Sequence, residues 1–71
     1  MTIEQEKQAS SDRYQLAKRE ADLRASRATL RSYLEDKLRS EDWHGVMDAA
    51  ADLREIDAEL RAVQRLSTEA R

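Results

Sequence analysis

This chain of 71 residues has no cysteine, no proline and no phenylalanine, and it has a single glycine. Without cysteine there are no disulfides, no thiol nucleophile and no cysteine-ligated zinc site. Without proline, and with one glycine, long segments contain no helix breaker, and a glycine-rich phosphate loop is excluded. No apolar run approaches the length of a transmembrane helix or of a signal-peptide core. We therefore expect a soluble, cytoplasmic protein that makes no membrane contact.

The sequence does contain a seven-residue apolar repeat, in two segments. Before residue 40 the repeat consists of Ala9, Leu16, Leu23 and Leu30; after residue 42 it consists of Val46, Leu53 and Leu60, with Ala49, Ile56 and Val63 three positions later. A helix with one apolar stripe has to bury that stripe against another helix. We therefore predict an all-α fold, in which two long antiparallel helices form a coiled-coil helical hairpin, as one unit spanning residues 1–71.

The segment between the two repeats has the composition of a turn. Ser40, Asp42 and Gly45 predict a first helix from about residue 3 to 39, a turn at 40–42 and a second helix from about 43 to 68. Asp42 is the expected cap of the second helix, and Gly45 in its first turn permits close backbone approach. The alternative is one continuous helix of about 100 Å that pairs in parallel with a second copy.

Pairing the two repeats fixes a register and points to a dimer. Leu30 lies opposite Leu53 and Leu23 opposite Leu60, so residues 1–11 have no partner within the hairpin and are expected to fray.

The core is small for a domain of this length, and we predict that the hairpin dimerises into a four-helix bundle. A second stripe on the first helix, here called the Tyr14 stripe, is the predicted dimer face: Tyr14, Ala17, Ala21, Ala25, Ala28 and Ser32. Its alanines also fit a solvated helix face.

Four polar residues interrupt the apolar stripes and are here called the polar seam. Glu20 and Arg27 fall within the stripe of the first helix, and Asp57 and Gln64 fall within that of the second. The register places Arg27 beside Asp57 and Glu20 beside Gln64. A buried charge pair adds little net stability but penalises wrong registers and wrong partners. We therefore interpret the seam as setting the register; a buried ionic binding site is the alternative.

The aromatic residues near the turn make the best single candidate for a site. Trp43, Met47 and Tyr33 are expected to cluster there, together with Leu38 and His44. In one interpretation Trp43 closes the end of the hairpin. In the other it is a partly exposed anchor for a partner protein, because Trp and Met are enriched at protein interfaces.

Catalytic and metal sites have little support in the sequence. His44 and Asp48 are one helical turn apart and Asp42 is near, but a metal site needs three or four converging ligands. The single histidine has no nucleophile beside it, and the surface of two helices offers no pocket. We predict no enzyme activity, no metal and no cofactor.

Charge and composition favour an interaction protein. The net charge is −2, with +2 over residues 1–40 and −4 over residues 41–71, and the Arg- and Ala-rich composition is typical of a GC-rich bacterial or phage gene. We predict a small non-catalytic protein–protein interaction module, an adaptor, assembly factor or inhibitor, whose partners are a second copy and an unidentified protein. The second hypothesis is a nucleic-acid-associated regulator; we rank it lower because its basic residues spread around the first helix. Those residues are Arg13, Lys18, Arg24 and Arg31.

Overall fold

The chain forms two α-helices joined by a short turn. The computed structural model describes the backbone of residues 3–69 and the side chains of residues 12–69. Helix α1 spans Ile3–Arg39 and helix α2 spans Trp43–Glu69; the described residues contain no strand. The predicted fraying of residues 1–11 lies outside the residues whose side chains are described.

The two helices pack against each other as an antiparallel pair, which confirms the predicted all-helical hairpin. The molecule measures 58 × 15 × 13 Å, and its long dimension matches that of α1 alone, about 55 Å for 37 residues. The alternative of one continuous helix of about 100 Å is therefore not adopted.

The turn ends α1 with a left-handed residue. The Glu41 amide donates to the Leu38 carbonyl at 3.1 Å, and the Asp42 amide donates to the Lys37 carbonyl at 2.9 Å. This pair of bonds is the Schellman motif, which requires a left-handed residue at its centre. Glu41 takes that position with φ 57°, although glycine is the usual residue there.

Asp42 begins α2 immediately after the motif. Its carbonyl accepts the Val46 amide at 3.0 Å, and its carboxylate Oδ1 accepts the Gly45 amide at 3.0 Å. This confirms the predicted cap, because an N-cap side chain binds an otherwise unpaired amide of the first turn. The Lys37 ammonium lies 3.5 Å from Oδ2. The Gly45 amide, followed by the Lys37 charge, holds the pKa of Asp42 below its usual value.

The core is one small cluster towards the open end of the hairpin. Leu23 from α1 and Leu60 and Val63 from α2 are buried, and Leu16 and Ile56 pack at its edge. The cluster contains Leu23 and Leu60, as the predicted register requires. Nearer the turn, α2 contributes the buried residues Ala49 and Gly45, so the helices approach closely there.

Candidate protein-interaction surface

The interface between the helices has two edges, and an ion pair across the helices marks each one. On one edge the Arg27 Nε lies 3.1 Å from the Asp57 Oδ1. On the other edge the Arg19 guanidinium pairs with the Glu59 carboxylate. We call these edges the Asp57 flank and the Glu59 flank. Side chains seven residues apart share a helix face. Each ion pair therefore identifies, on each helix, a row of residues at intervals of seven that lie along the same edge.

The closed end of the Asp57 flank carries three large apolar residues. On α2, Trp43 is in the row of Asp57, fourteen residues earlier, and Met47 follows Trp43 by one helical turn. On α1, Leu38 is in the row of Arg24, whose guanidinium reaches the Glu20 carboxylate at 2.8 Å. Glu20 belongs to the row of Arg27 and faces α2, so the row of Arg24 borders the same flank.

All three of these residues are exposed. The exposed fraction is 49% for Leu38, 59% for Trp43 and 70% for Met47. Leu38, Trp43 and Met47 are here called the closed-end patch. Trp43 is more than half exposed, which favours the interpretation as a partner anchor over the one in which it closes the end of the hairpin.

Tyr33 does not join this patch. It is in the row of Arg19, fourteen residues earlier, and therefore borders the Glu59 flank. The Lys37 ammonium lies over its ring, 5.1 Å from the ring centre, the one ring contact among the described side chains. Helical spacing thus places Tyr33 and Trp43 on different edges of the hairpin, and the ring contact described for Tyr33 is with Lys37. His44 is exposed and lies 3.3 Å from the Asp48 carboxylate, one turn along α2.

The Tyr14 stripe is exposed along its length, and Tyr14 itself is 64% exposed. Ala17 is in the row of Arg24 and borders the Asp57 flank, while Ala21 and Ala28 lie further round on the outer side of α1. The Tyr14 stripe and the closed-end patch are therefore neighbours on one side of the molecule.

The polar seam lies at the edge of the helix interface. The Arg27 and Asp57 side chains are paired, but 43% and 41% of their surfaces stay exposed. The prediction that Arg27 and Asp57 form a buried layer between leucine layers is wrong, because both side chains reach outward to solvent. A hydrogen bond from Arg24, helped by the amide of Gln64, holds the pKa of Glu20 below its usual value.

The basic residues predicted to bind nucleic acid do not form one free surface. Lys18 lies 3.2 Å from Asp22 on the outer side of α1, and Arg24 is paired with Glu20. Arg13 is exposed, in the row of Glu20. Among the four, Arg31 borders the Asp57 flank without an ion-pair partner in the described part of the chain.

The structure adds two arginines from α2 to this flank. Arg54 and Arg61 follow Met47 by seven and fourteen residues, and neither forms an ion pair with another described residue. The antiparallel register places Arg54 level with Arg31, and Arg61 level with Arg24. The basic residues of α1 give no sign of them, although the spacing Met47–Arg54–Arg61 is visible in the sequence.

No protein family, curated protein or solved structure matches this chain. A functional proposal therefore rests on surface chemistry. Within the described residues, no three potential ligands group as a metal site would require. Over the same residues, neither helix is apolar enough to cross a lipid bilayer.

The Glu59 flank has the opposite character to the Asp57 flank. A groove along it is lined by Asp52, Glu55 and Glu59 from α2 and by Ser26 and Thr29 from α1. The hairpin thus presents an acidic groove on one edge, and arginines with an apolar patch on the other.

Proposed function

We propose that this chain is a small non-catalytic protein-interaction module, an adaptor, assembly factor or inhibitor, which binds a partner protein through the closed-end patch. The observation that carries the proposal is the exposure of Leu38, Trp43 and Met47, which helical spacing places on one flank. Trp side chains are among those that dominate the binding energy at protein interfaces, where Met is also enriched and adapts to the shape of its partner.

The patch is held on rigid backbone. Leu38 is in the last turn of α1 and Trp43 is the first residue of α2. The backbone between them is fixed by the Glu41 and Asp42 amide hydrogen bonds, and the Asp42 carboxylate fixes the first turn of α2. A surface that is already ordered loses less conformational entropy when it binds, which favours affinity.

Site-specific photo-crosslinking in producing cells tests this function. A benzophenone amino acid at position 47 reports on the patch, and the same group at position 66 is the control, since Leu66 is also half exposed. We expect a discrete protein adduct at position 47 that disappears in a Trp43→Ala background. Identical adducts at both positions, or an adduct at 47 that survives Trp43→Ala, would contradict the proposal.

We also propose that the chain associates with itself through the Tyr14 stripe. The stripe is exposed and the buried core within one hairpin is small. Sedimentation velocity on the full chain tests this: we expect a species of about twice the chain mass of 8.2 kDa. Ala21→Glu should convert it to monomer, while Ala58→Glu, exposed on the outer side of α2, should not. A monomer at every concentration would refute self-association.

Nucleic-acid association is the second candidate function, and the observation in its favour is the arginine pair added by α2. Arg24, Arg31, Arg54 and Arg61 lie along one flank, as a phosphate-binding surface requires. It ranks lower because Arg24 is already neutralised by Glu20, and because the flank ends in an apolar patch rather than in further basic residues.

A further inference from the structure

We infer that the partner of the closed-end patch is an amphipathic helix that carries carboxylates beside its apolar stripe. The inference rests on the proposed function and names the chemistry of the partner. Unpaired arginines lie next to the exposed apolar residues of the Asp57 flank.

The arginines of the Asp57 flank follow the apolar patch at intervals of seven residues. Arg31 precedes Leu38 by seven residues, and Arg54 follows Met47 by seven. Because the helices are antiparallel, both arginines lie about 10 Å from the patch, towards the middle of the hairpin. Arg24 and Arg61 lie about 10 Å further on. Arg24 and Arg31 therefore follow the α1 side of the groove, while Arg54 and Arg61 lie one row further out on α2, beyond the row of Ala50 and Asp57.

Some arginines of the Asp57 flank are already paired with carboxylates, and others are not. Arg27 pairs with Asp57, and Arg24 pairs with Glu20. Arg31, Arg54 and Arg61 form no ion pair with another described residue, although Asp57 lies one turn from both Arg54 and Arg61 and is itself paired with Arg27. A guanidinium binds a carboxylate through two parallel hydrogen bonds, which neutral or basic partners cannot supply. The free arginines therefore favour a partner with acidic side chains.

The surface between the arginine rows includes a small residue on α2. Between Trp43 and Asp57, the row on α2 contains Ala50, a small and half-buried residue. A small residue there lets another helix approach the groove closely. From the patch to Arg24 and Arg61 is about 21 Å, which a helix of about 14 residues spans. Such a helix places apolar side chains on the patch and carboxylates two and four turns away.

A second copy does not satisfy the same chemistry. Its own Asp57 flank presents arginines at the same places, so a symmetric contact brings like charges together. Its Glu59 flank is acidic, but contact between unlike flanks is heterologous and does not close at a dimer. Nucleic acid accounts for the arginines and leaves Leu38, Trp43 and Met47 without a contact.

Selection from a displayed peptide library tests the inference. Each peptide has about 20 residues, an apolar helical stripe, and Glu, Gln or Lys varied at the flanking positions. The bait is the full chain. We expect Glu to be enriched about tenfold over Lys two and four turns from the apolar anchor, the effect of one or two charge-assisted hydrogen bonds. Arg31→Glu with Arg54→Glu should reverse this preference, and Arg65→Glu, on the outer side of α2, should leave it unchanged.

The variants are first checked for helical circular dichroism, and Arg31→Gln with Arg54→Gln replaces the reversal if it does not fold. Equal enrichment of Glu and Lys in peptides that still require Trp43 would overturn the inference and leave the proposed function standing. A pool in which no peptide depends on Trp43 would count against both. Tighter binding of a single-stranded or duplex oligonucleotide than of the selected peptides, or a dimer that shields Trp43 from an added quencher, would also overturn it.

Discussion

At the scale of single residues, Gly45 leaves space for the Lys37 side chain to cross the first turn of α2. A Cβ atom at this position would lie 2.9 Å from the Lys37 Cγ and Cδ, and 3.0 Å from the Asp42 Oδ2. Its φ is not positive, so the requirement is for space and not for a special backbone conformation. Lys37 crosses Gly45 with its stem, reaches Asp42 and covers the Tyr33 ring.

Gly45→Ala should therefore destabilise the chain, although alanine is the better helix former by up to about 1 kcal/mol. Overpacking costs about 1–3 kcal/mol, so we expect a net loss of about 1 kcal/mol in the free energy of unfolding. In a Lys37→Ala background the same substitution should be neutral or stabilising. Urea unfolding of the four chains measures this coupling, and additive effects would show that Lys37 does not occupy the space.

The close approach at Gly45 could be predicted from the sequence, but the separation of the aromatic residues was missed. Tyr33 and Trp43 both lie near the turn in sequence, and both border the apolar stripe of their own helix. Which edge of the hairpin each one reaches depends on the contacts between the helices. The ion pairs Arg19–Glu59 and Arg27–Asp57 show which residues share an edge. The sequence alone does not show which of the possible ion pairs between the helices form.

At the scale of elements, one residue connects the end of α1 with the start of α2. The Asp42 amide completes the Schellman motif through the Lys37 carbonyl, and its carboxylate caps α2 through the Gly45 amide. The cap was predictable, since Asp is a preferred N-cap residue. The left-handed Glu41 was not, because the sequence has no glycine or asparagine there to signal it.

Stability should depend on pH through Asp42. Its pKa is lowered in the folded chain, first by the Gly45 amide and then by Lys37, from an ordinary value of 3.8. The ionised carboxylate therefore stabilises the fold above that value, and the contribution is lost as the pH falls through and below it. Asp42→Asn keeps a capping oxygen without the charge, so its melting temperature should fall less than that of the natural chain between neutral pH and about pH 3.

Asp42→Ala is the companion variant, because it removes both the charge and the cap. It should melt several degrees below the natural chain at neutral pH, and the gap should narrow in acid. Thermal unfolding followed by circular dichroism across the pH range measures all three chains. A parallel pH response of Asp42→Asn and the natural chain would show that the Asp42 charge has no role in the cap.

At the scale of the whole molecule, the two edges of the hairpin differ in charge and in exposed apolar surface. Few large side chains are buried, while Tyr14, Trp43, Met47 and Leu66 are each more than half exposed. The heptad spacing was enough to predict two antiparallel helices, because an apolar stripe leaves few other ways to pack. It did not predict the division of charge, which arises when rows from both helices meet at one flank. Arg54 and Arg61 join the arginines of α1 on one flank only when the two helices are packed together.

The small core makes the fold dependent on single leucines. Leu60 is 5% exposed and Leu38 is 49% exposed, so Leu60→Ala should cost about 2–4 kcal/mol and Leu38→Ala less than about 1 kcal/mol. For a domain of 71 residues the first loss is a large share of the total stability. We therefore expect much of Leu60→Ala to be unfolded in dilute solution, and its helical signal to rise with protein concentration if self-association stabilises the folded chain. Urea unfolding and concentration-dependent circular dichroism measure both effects. Equal losses in the two variants would mean that Leu60 does not anchor the core.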